Sequence, residues 1–164
     1  MKSKLRQCTN CLLIKNNQVL LALKKRGFGA GKWNGVGGKC QESESIEEAA
    51  IREAQEEIGV TPLGLKRVAV LDFYFPDIPQ DQNWNQQVIV FVVKEWQGDP
   101  TESEEMSPQW FNIDQIPYSQ MWEDDPYWMP QVLAGQKVRG KFTFAGEGKM
   151  ANFYVSGVVG SKQK

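Results

Sequence analysis

The amino-acid sequence predicts an α/β fold built on a mixed β-sheet. Two observations support this: short runs of β-branched and aromatic residues recur along the chain, and one strongly amphipathic helical segment with clear end signals lies among them. The 164 residues contain no internal repeat and no compositional break that would mark a domain boundary. We therefore expect a single domain over residues 1–164.

The first part of the chain predicts a β-hairpin followed by a long loop. Apolar residues 12–14 and 19–23 flank a turn-forming pair of asparagines, as in two antiparallel strands joined by a tight turn. The loop over residues 24–39, KKRGFGAGKWNGVGGK, is rich in glycines that allow the backbone to bend closely around a ligand. It is not a P-loop, because neither of its Gly-Lys pairs is followed by serine or threonine.

A helix is predicted over residues 46–58. Ser45 and Glu48 have the spacing of a capping box, and Gly59 followed by Pro62 gives the signals that end a helix. After this helix, β-prone runs predict strands at 68–75, 87–93, 110–111, 141–144 and 152–159. A helical pattern with proline at its start and glycine at its end predicts a short helix within 126–135.

The composition indicates a globular protein of the cytoplasm. With 41% hydrophobic residues, 24% charged residues and a net charge of −1, the chain has neither the basic surface of a nucleic-acid binder nor a membrane-binding character. Residues 1–15 contain only a short apolar run, so no export signal or membrane span is predicted. We expect a monomer that binds neither nucleic acid nor membrane.

The three cysteines indicate a reducing environment, because they cannot all pair within the chain. Cys8 and Cys11 form a C-x-x-C pattern in a predicted strand, where the odd offset puts their side chains on opposite faces. The chain has no histidine, and a structural zinc site needs four ligands. The pattern therefore favours packed thiols over a metal or redox site.

The predicted helix carries carboxylates where its apolar face should pack. At about 100° per residue, this face consists of Ile46, Ala49, Ala50, Ala54 and Ile58. Glu53 and Glu57 project into the apolar arc, and Glu56 lies at its edge. The opposite side is predicted to carry Glu48, Arg52 and Gln55. Because an uncompensated carboxylate beside a core costs several kcal/mol of desolvation, a cation must lie near these acids.

These residues favour a divalent metal ion as the cation that compensates the negative charge of the glutamates. Arg52 is predicted to point elsewhere, and three clustered acids would in any case exceed the charge of one guanidinium. Carboxylate oxygens suit Mg²⁺ or Mn²⁺, and Mg²⁺ is typically bound by a few carboxylates together with waters and substrate phosphates. The alternative that the spacing leaves open is a structural network of ion pairs.

The same segment resembles the signature of a known family. Residues 38–60 match the Nudix box, Gly-x5-Glu-x7-Arg-Glu-U-x-Glu-Glu-x-Gly-U with U apolar, at every fixed position, with alanine as a small occupant of the first apolar one. Segments 24–39, 105–117 and 121–130 are also similar to one branch of the Nudix family, the MutT homologues that hydrolyse oxidised purine nucleoside triphosphates. The loop over residues 76–86 is longer than in that branch.

The resemblance implies a Nudix-type α/β/α sandwich and a metal-dependent hydrolase. In the family the box helix binds Mg²⁺, which here implies Glu53, Glu56 and Glu57 as ligands. The backbone carbonyl of Gly37 and the carboxylate of Glu105 are implied to assist, and Mn²⁺ is an alternative ion. Glu57 or Glu53 would take a proton from the attacking water, with Glu57 preferred, and Arg52 would orient the carboxylates.

The resemblance also implies a substrate pocket. The positions that read the purine are matched by Asn34, Trp122, Asp124 and Asp125. The pocket wall and the sugar contacts are matched by Thr9, Lys24, Phe28 and Phe73. Further substrate contacts are implied for Gly37, Gly38 and Lys39. Adjacent carboxyls in an apolar pocket repel, so one of the two aspartates is expected to hold a proton and act as a donor. Taken singly, these residues match ordinary core aromatics, helix-start aspartates and solvated lysines.

These implications give an expected function and leave two alternatives. We expect Mg²⁺-dependent hydrolysis of 8-oxo-dGTP, 2-hydroxy-dATP and similar nucleotides to nucleoside monophosphate and pyrophosphate, which would sanitise the nucleotide pool. One alternative is the same chemistry on another nucleoside diphosphate-linked substrate. The other is a nucleotide-sensing module that keeps the fold but does not turn its ligand over.

Overall fold

An eight-stranded mixed β-sheet forms the centre of the computed structural model, which describes residues 5–82, 84–146 and 148–156. The strands of the main sheet are β1 (Arg6–Lys15), β2 (Gln18–Lys24), β3 (Trp33–Asn34), β5 (Lys66–Tyr74), β6 (Gln86–Val93), β8 (Met106–Asn112), β9 (Val138–Ala145) and β10 (Lys149–Ser156). A separate two-stranded sheet consists of β4 (Thr61–Leu63) and β7 (Glu95–Gln97). The helices are α1 (Ile46–Ile58) and α2 (Asp125–Leu133).

The strand order of the main sheet is β10-β9-β5-β6-β1-β2, and β2 pairs with both β3 and β8. The pairs β1–β6 and β5–β9 are parallel, whereas the other pairs are antiparallel. The mixed sheet predicted from the sequence is therefore confirmed. The parallel β1–β6 pair brings the starts of these two strands together, and the antiparallel β5–β6 pair puts the end of β5 beside them.

The predicted hairpin is formed by β1 and β2. Its turn residues Asn16 and Asn17 have φ angles of 52° and 63°, the left-handed values that a type I′ hairpin turn requires. Asparagine tolerates these angles better than most residues with a side chain, which explains why this pair joins the strands. Leu13 and Leu20 are opposite each other across the pair and are both buried.

The two helices cover opposite faces of the sheet, as in an α/β/α sandwich. On one face, α1 packs Ala50, Ala54 and Ile58 into a core with strand residues such as Phe91. On the other face, α2 packs Trp128 and Met129 into a second core that contains Phe142 and Phe144. The small side chains of α1 let its axis approach the sheet closely, which also draws in the polar residues on the same face.

Helix α1 has the bounds that its end signals predict. Ser45 and Glu48 form a capping box in which each side chain accepts a hydrogen bond from the other residue's backbone N–H. At the other end, Gly59 has a φ of 74° and its N–H donates to the carbonyl of Gln55. The strands predicted at 68–75 and 87–93 and the helix within 126–135 are also present with small shifts at their ends.

Several short elements were not predicted. Strand β8 extends over Met106–Asn112 rather than the two predicted residues, because it pairs with β2 along its whole length. Strands β3, β4 and β7 have two or three residues each and depend on partners distant in sequence, so no local pattern indicates them. The final strand ends at Ser156, and residues 157–159 of the predicted one lie outside the described residues.

Within the described ranges, no helix is long and apolar enough to cross a membrane. Cys8, Cys11 and Cys40 carry free thiols. Burial raises the pKa of Cys8 to about 11 and that of Cys11 to about 12, so both thiols of β1 are protonated at neutral pH.

Candidate active site

A cavity of about 530 Å³ lies between the glycine-rich loop, the strand ends of β1 and β5, and the segment that leads into α2. All eleven residues predicted to bind substrate line it: Thr9, Lys24, Phe28, Asn34, Gly37, Gly38, Lys39, Phe73, Trp122, Asp124 and Asp125. These residues come from four separate stretches of the chain: Thr9, residues 24–39, Phe73 and residues 122–125. The fold therefore brings the predicted substrate-binding set together in one place.

Aromatic rings form one side of the cavity. The ring centroid of Phe28 lies 4.5 Å from that of Trp84 and 5.0 Å from that of Trp122. Phe144 packs edge-on against Trp122 with a centroid distance of 5.8 Å. Phe28 is 43% exposed, so it stands at the cavity mouth rather than in the core. This arrangement offers flat apolar surfaces to a planar ligand.

Trp84, Phe75 and Phe144 were missed as cavity residues by sequence reasoning. Trp84 lies in the 76–86 loop, whose polar sequence shows no local signal for a binding wall. The loop is fastened to the sheet, because the Phe75 N–H donates to Asn85 Oδ1 at 2.7 Å and the Arg6 N–H donates to the Asn85 carbonyl at 3.1 Å.

Two buried carboxyl groups form a polar wall of the cavity. Asp124 and Asp125 are each only 3% exposed. Trp128 Nε1 donates to Asp124 Oδ2 at 2.8 Å, while Asp125 Oδ2 has no hydrogen-bond partner among the described residues. Burial raises the pKa of both carboxyls, and the charge of Asp124 raises that of Asp125 further. Burial and the repulsion between the two carboxyls therefore oppose ionisation of both at once.

An amide pair forms another polar wall. Asn34 Oδ1 accepts two hydrogen bonds, from Gly35 N–H at 2.9 Å and from Asn10 Nδ2 at 3.1 Å. Asn10 is 7% exposed and lines the cavity beside Asn34. Sequence reasoning missed Asn10, because a single asparagine in an otherwise apolar strand has no distinctive spacing.

Gly37 and Gly38 connect the cavity to helix α1. The Gly37 N–H donates to Glu57 Oε1 at 3.0 Å, and the Gly38 N–H donates to Thr9 Oγ1 at 3.2 Å. A Cβ on Gly37 would lie 2.0 Å from the Thr9 carbonyl oxygen, and one on Gly38 would lie 2.4 Å from Glu53 Oε2. Only glycine allows this close passage between β1 and the acidic face of the helix.

Glu53 and Glu57 lie where the apolar arc of the helix predicts them. Glu57 is 6% exposed, and burial raises its pKa to about 8, with the charges of Glu53 and Glu105 contributing. Burial also raises the pKa of Glu53, against the lowering effect of Arg52. Glu57 is buried and the Glu53 side chain is 16% exposed, which confirms that the helix turns these two acids inward.

Arg52 does not point away from these acids, contrary to the expectation from helical geometry. Its guanidinium donates to Glu53 and Glu56 at 3.2 Å each, to Glu44 Oε1 at 2.9 Å and to the Lys39 carbonyl at 3.0 Å. The arginine side chain is long enough to bend along the helix surface towards carboxylates one turn away. Its contacts fit the orienting role that the sequence predicts.

The predicted metal ligands lie along one edge of α1 and on the loop before β8. In the described part of the chain, no three acidic or cysteine side chains converge closely enough to hold an ion as they stand. Arg52 pairs with Glu53 and Glu56, the latter 60% exposed, and Glu105 lies 3.9 Å from Arg26. Even so, the donor set fits a hard cation, because it consists of carboxylate oxygens, and burial without full compensation raises the pKa of Glu57 and of the partly buried Glu53.

The comparison with known proteins agrees with this architecture. A NUDIX domain model matches residues 4–132. The oxidized purine nucleoside triphosphate hydrolase of Mus musculus is 47% identical over 136 residues, which are 83% of this chain and 85% of that protein. The protein of the same name from Danio rerio is 46% identical over 138 residues, or 84% of this chain and 86% of that protein.

A solved structure extends the agreement to the fold. The MutT protein from Bacillus halodurans superposes with a TM-score of 0.81 at 24% identity, covering 93% of this chain and 98% of that one. The family model covers more than half of the chain and includes the whole of helix α1 and its acidic residues. The chain therefore belongs to the NUDIX family of hydrolases.

Proposed function

We propose that this protein hydrolyses oxidised purine nucleoside triphosphates, such as 8-oxo-dGTP and 2-hydroxy-dATP, to nucleoside monophosphate and pyrophosphate with Mg²⁺. One observation carries the proposal: Gly37 and Gly38, which line an aromatic cavity with two buried carboxyls, also lie against Glu57 and Glu53 of α1. The names of the relatives from Mus musculus and Danio rerio support the same substrate class.

In this proposal, the aromatic side of the cavity and the aspartate pair bind the base. Trp122 offers a ring face for stacking, and Asp124 with Asp125 meets the base edge with one donor and one acceptor. The proton can reside on either carboxyl, so the pair presents these groups in two arrangements. Such a pair suits both an oxidised guanine and an oxidised adenine.

The triphosphate extends from the base pocket past Lys24 and Lys39 towards α1. Both lysines line the cavity and carry the positive charge that a polyanion needs. Glu53, Glu56 and Glu57, with Glu105 and the Gly37 carbonyl, would hold Mg²⁺, and Mn²⁺ would fit the same donors. When bound, the ion supplies charge neutralisation of the phosphates and a lower pKa for water.

Glu57 is the preferred general base, and Glu53 is the alternative. Glu57 is held in place by the Gly37 N–H, and burial raises its pKa towards the operating pH, as proton transfer favours. Arg52 fixes Glu53 and Glu56 from the outer side of the helix and keeps their carboxylates oriented. Water beside the α–β phosphate bridge would lose a proton to Glu57 as its oxygen bonds to one of the two phosphorus atoms and the bridging oxygen leaves with the other.

We place this activity in the cytoplasm, in a monomer that acts on free nucleotides rather than on nucleic acid or at a membrane. The free thiols of the three cysteines and the near-neutral net charge of −1 support this setting. Every residue of the proposed site comes from one chain, so a monomer is sufficient.

Product analysis by ³¹P NMR tests the proposal. With 8-oxo-dGTP and Mg²⁺, we expect 8-oxo-dGMP and pyrophosphate, no turnover after chelation of the metal, and a loss of roughly 10²–10⁴-fold in kcat for Glu57→Gln. The exposed Glu42→Gln variant serves as the control. Release of orthophosphate would contradict the proposed bond cleavage. Tight binding without turnover would support the nucleotide-sensing alternative instead.

A further inference from the structure

Asn10 is a buried polar residue of the cavity that the proposed chemistry does not use. It lies in β1, which is otherwise apolar from Cys11 to Ile14, and only 7% of its surface is exposed. Burying an amide without satisfying both of its polar groups costs free energy, so an asparagine in this position indicates a role other than packing.

The contacts of Asn10 fix the orientation of Asn34. Asn34 Oδ1 accepts from both Asn10 Nδ2 at 3.1 Å and Gly35 N–H at 2.9 Å, which uses both lone pairs of that oxygen. A reversed Asn34 amide would put its NH₂ group against these two donors. Because the two ends of an amide point in different directions, Asn34 Nδ2 is presented away from them, as a donor to the cavity that Asn34 lines.

The other end of the Asn10 amide has no partner. Asn10 Oδ1 is buried and makes no hydrogen bond to any of the described residues. It lies directly over the backbone of Gly35, where a Cβ would be 2.0 Å away, so a larger residue at position 35 would displace it. The wall formed by Asn10 and Asn34 thus presents one directed donor, Asn34 Nδ2, while the buried Asn10 Oδ1 faces Gly35.

We infer that Asn10 is a positioning residue of the base pocket, which holds the Asn34 amide so that Asn34 Nδ2 is a donor to the ligand. The chemistry that this arrangement selects is a base edge with an acceptor, such as the O8 atom that oxidation adds to guanine. This inference rests on the proposed function for its choice of ligand.

Three variants test the inference. Asn10→Leu removes both polar groups at similar volume, and Asn10→Asp keeps the shape but replaces the Nδ2 donor by an oxygen that repels Asn34 Oδ1. Asn112→Leu makes the same change at an exposed amide outside the cavity. The readouts are kcat and KM for 8-oxo-dGTP with Mg²⁺, and binding of the uncharged nucleoside 8-oxo-2′-deoxyguanosine by tryptophan fluorescence.

For Asn10→Leu we expect KM to rise roughly tenfold or more, as for the loss of a buried hydrogen bond, with kcat changed less than about threefold. For Asn10→Asp we expect weaker nucleoside binding than for Asn10→Leu, because the turned Asn34 amide would present an acceptor where a donor is needed. A purely packing role predicts the reverse order, since aspartate is the closer match in shape.

Wild-type values for Asn10→Leu, or binding by Asn10→Asp that equals or exceeds that of Asn10→Leu, would overturn the inference while leaving the proposed hydrolysis intact. Nucleoside binding that follows the expected order in a protein that does not hydrolyse 8-oxo-dGTP would support the inference and reject the proposed function. An equal loss of nucleoside binding in Asn112→Leu and Asn10→Leu would also overturn the inference.

Discussion

Glu57 is the residue at which local packing and chemistry conflict most clearly. It lies on the buried side of α1 beside three alanines, and a leucine there would pack without any cost of desolvation. Its carboxylate instead accepts from Gly37 N–H and faces the charges of Glu53 and Glu105. A cation in this position would turn an unfavourable burial into a binding site.

The metal-free protein should therefore show a pH dependence of stability that originates at Glu57. Burial raises the pKa of this carboxyl from its ordinary value near 4.5 to about 8 in the folded state. Between these values the folded state keeps a proton that the unfolded state has lost, so stability falls as the pH rises through this window, by up to ~1.4 kcal/mol per pH unit. Glu57→Gln, which retains an acceptor for Gly37, should remove this part of the slope.

Urea unfolding in EDTA between pH 5 and pH 8 measures that effect. The exposed Glu42→Gln variant is the control, and its slope should equal that of the unchanged protein. Parallel slopes for all three proteins would show that burial does not perturb Glu57 in the way described.

A side chain at position 38 should move the Glu53 carboxylate. A Cβ at this position would lie 2.4 Å from Glu53 Oε2, the far end of a flexible side chain. Gly38→Ala should therefore move the Glu53 carboxylate while the fold persists, lowering kcat/KM for 8-oxo-dGTP by at least ~tenfold with a small change in Tm. Gly148→Ala, where a Cβ meets nothing within 4 Å, should leave both unchanged. A Gly38→Ala protein with full activity would show that the position of Glu53 is not critical.

At the scale of elements, the 76–86 loop supplies a wall of the cavity. It begins after β5 and ends at β6, and Asn85 ties it to both Phe75 and Arg6. These contacts hold Trp84 with its ring 4.5 Å from Phe28 and 5.5 Å from Phe75. This loop thus places an indole against the aromatic mouth of the site.

Removal of that indole should weaken nucleotide binding. In Trp84→Ala, Phe28 loses the ring that supports it, and we expect KM for 8-oxo-dGTP to rise roughly tenfold, in the range of one base–aromatic stacking contact, with kcat nearly unchanged. Trp96→Ala is the comparison variant, because Trp96 stacks on Trp110 and does not line the cavity. An equal rise in KM for both variants would indicate general destabilisation instead of a specific wall.

Helix α1 shows how far sequence reasoning reaches at this scale. Its bounds, its caps and the inward direction of Glu53 and Glu57 follow from residue spacing alone, since helical geometry is regular. The predicted direction of the Arg52 side chain was wrong, because a helical wheel gives the direction of Cβ and not the end of a long side chain. The same limit applies to any arginine or lysine on a helix surface.

At the scale of the whole molecule, the strands with strong local patterns could be predicted, whereas those that depend on distant partners could not. Strands β1, β2, β5 and β6 contain apolar runs of their own. Strand β3 has two residues and exists because it pairs with Ala22 and Leu23. The roles of Asn10 and Trp84 in the cavity could not be predicted for the same reason, since only the folded chain brings them beside Asn34 and Phe28.

The central claim is that the aromatic cavity and the acidic edge of α1 form one catalytic centre for oxidised purine nucleotides. The most direct test compares kcat/KM with Mg²⁺ across 8-oxo-dGTP, 2-hydroxy-dATP, an alkylated guanine nucleotide, a nucleotide sugar, dGTP and dATP. We predict that the oxidised purines are preferred over their normal counterparts by at least ~tenfold, as expected where buried polar groups read a base edge. Equal values for 8-oxo-dGTP and dGTP, or a higher value for the nucleotide sugar, would contradict the claim.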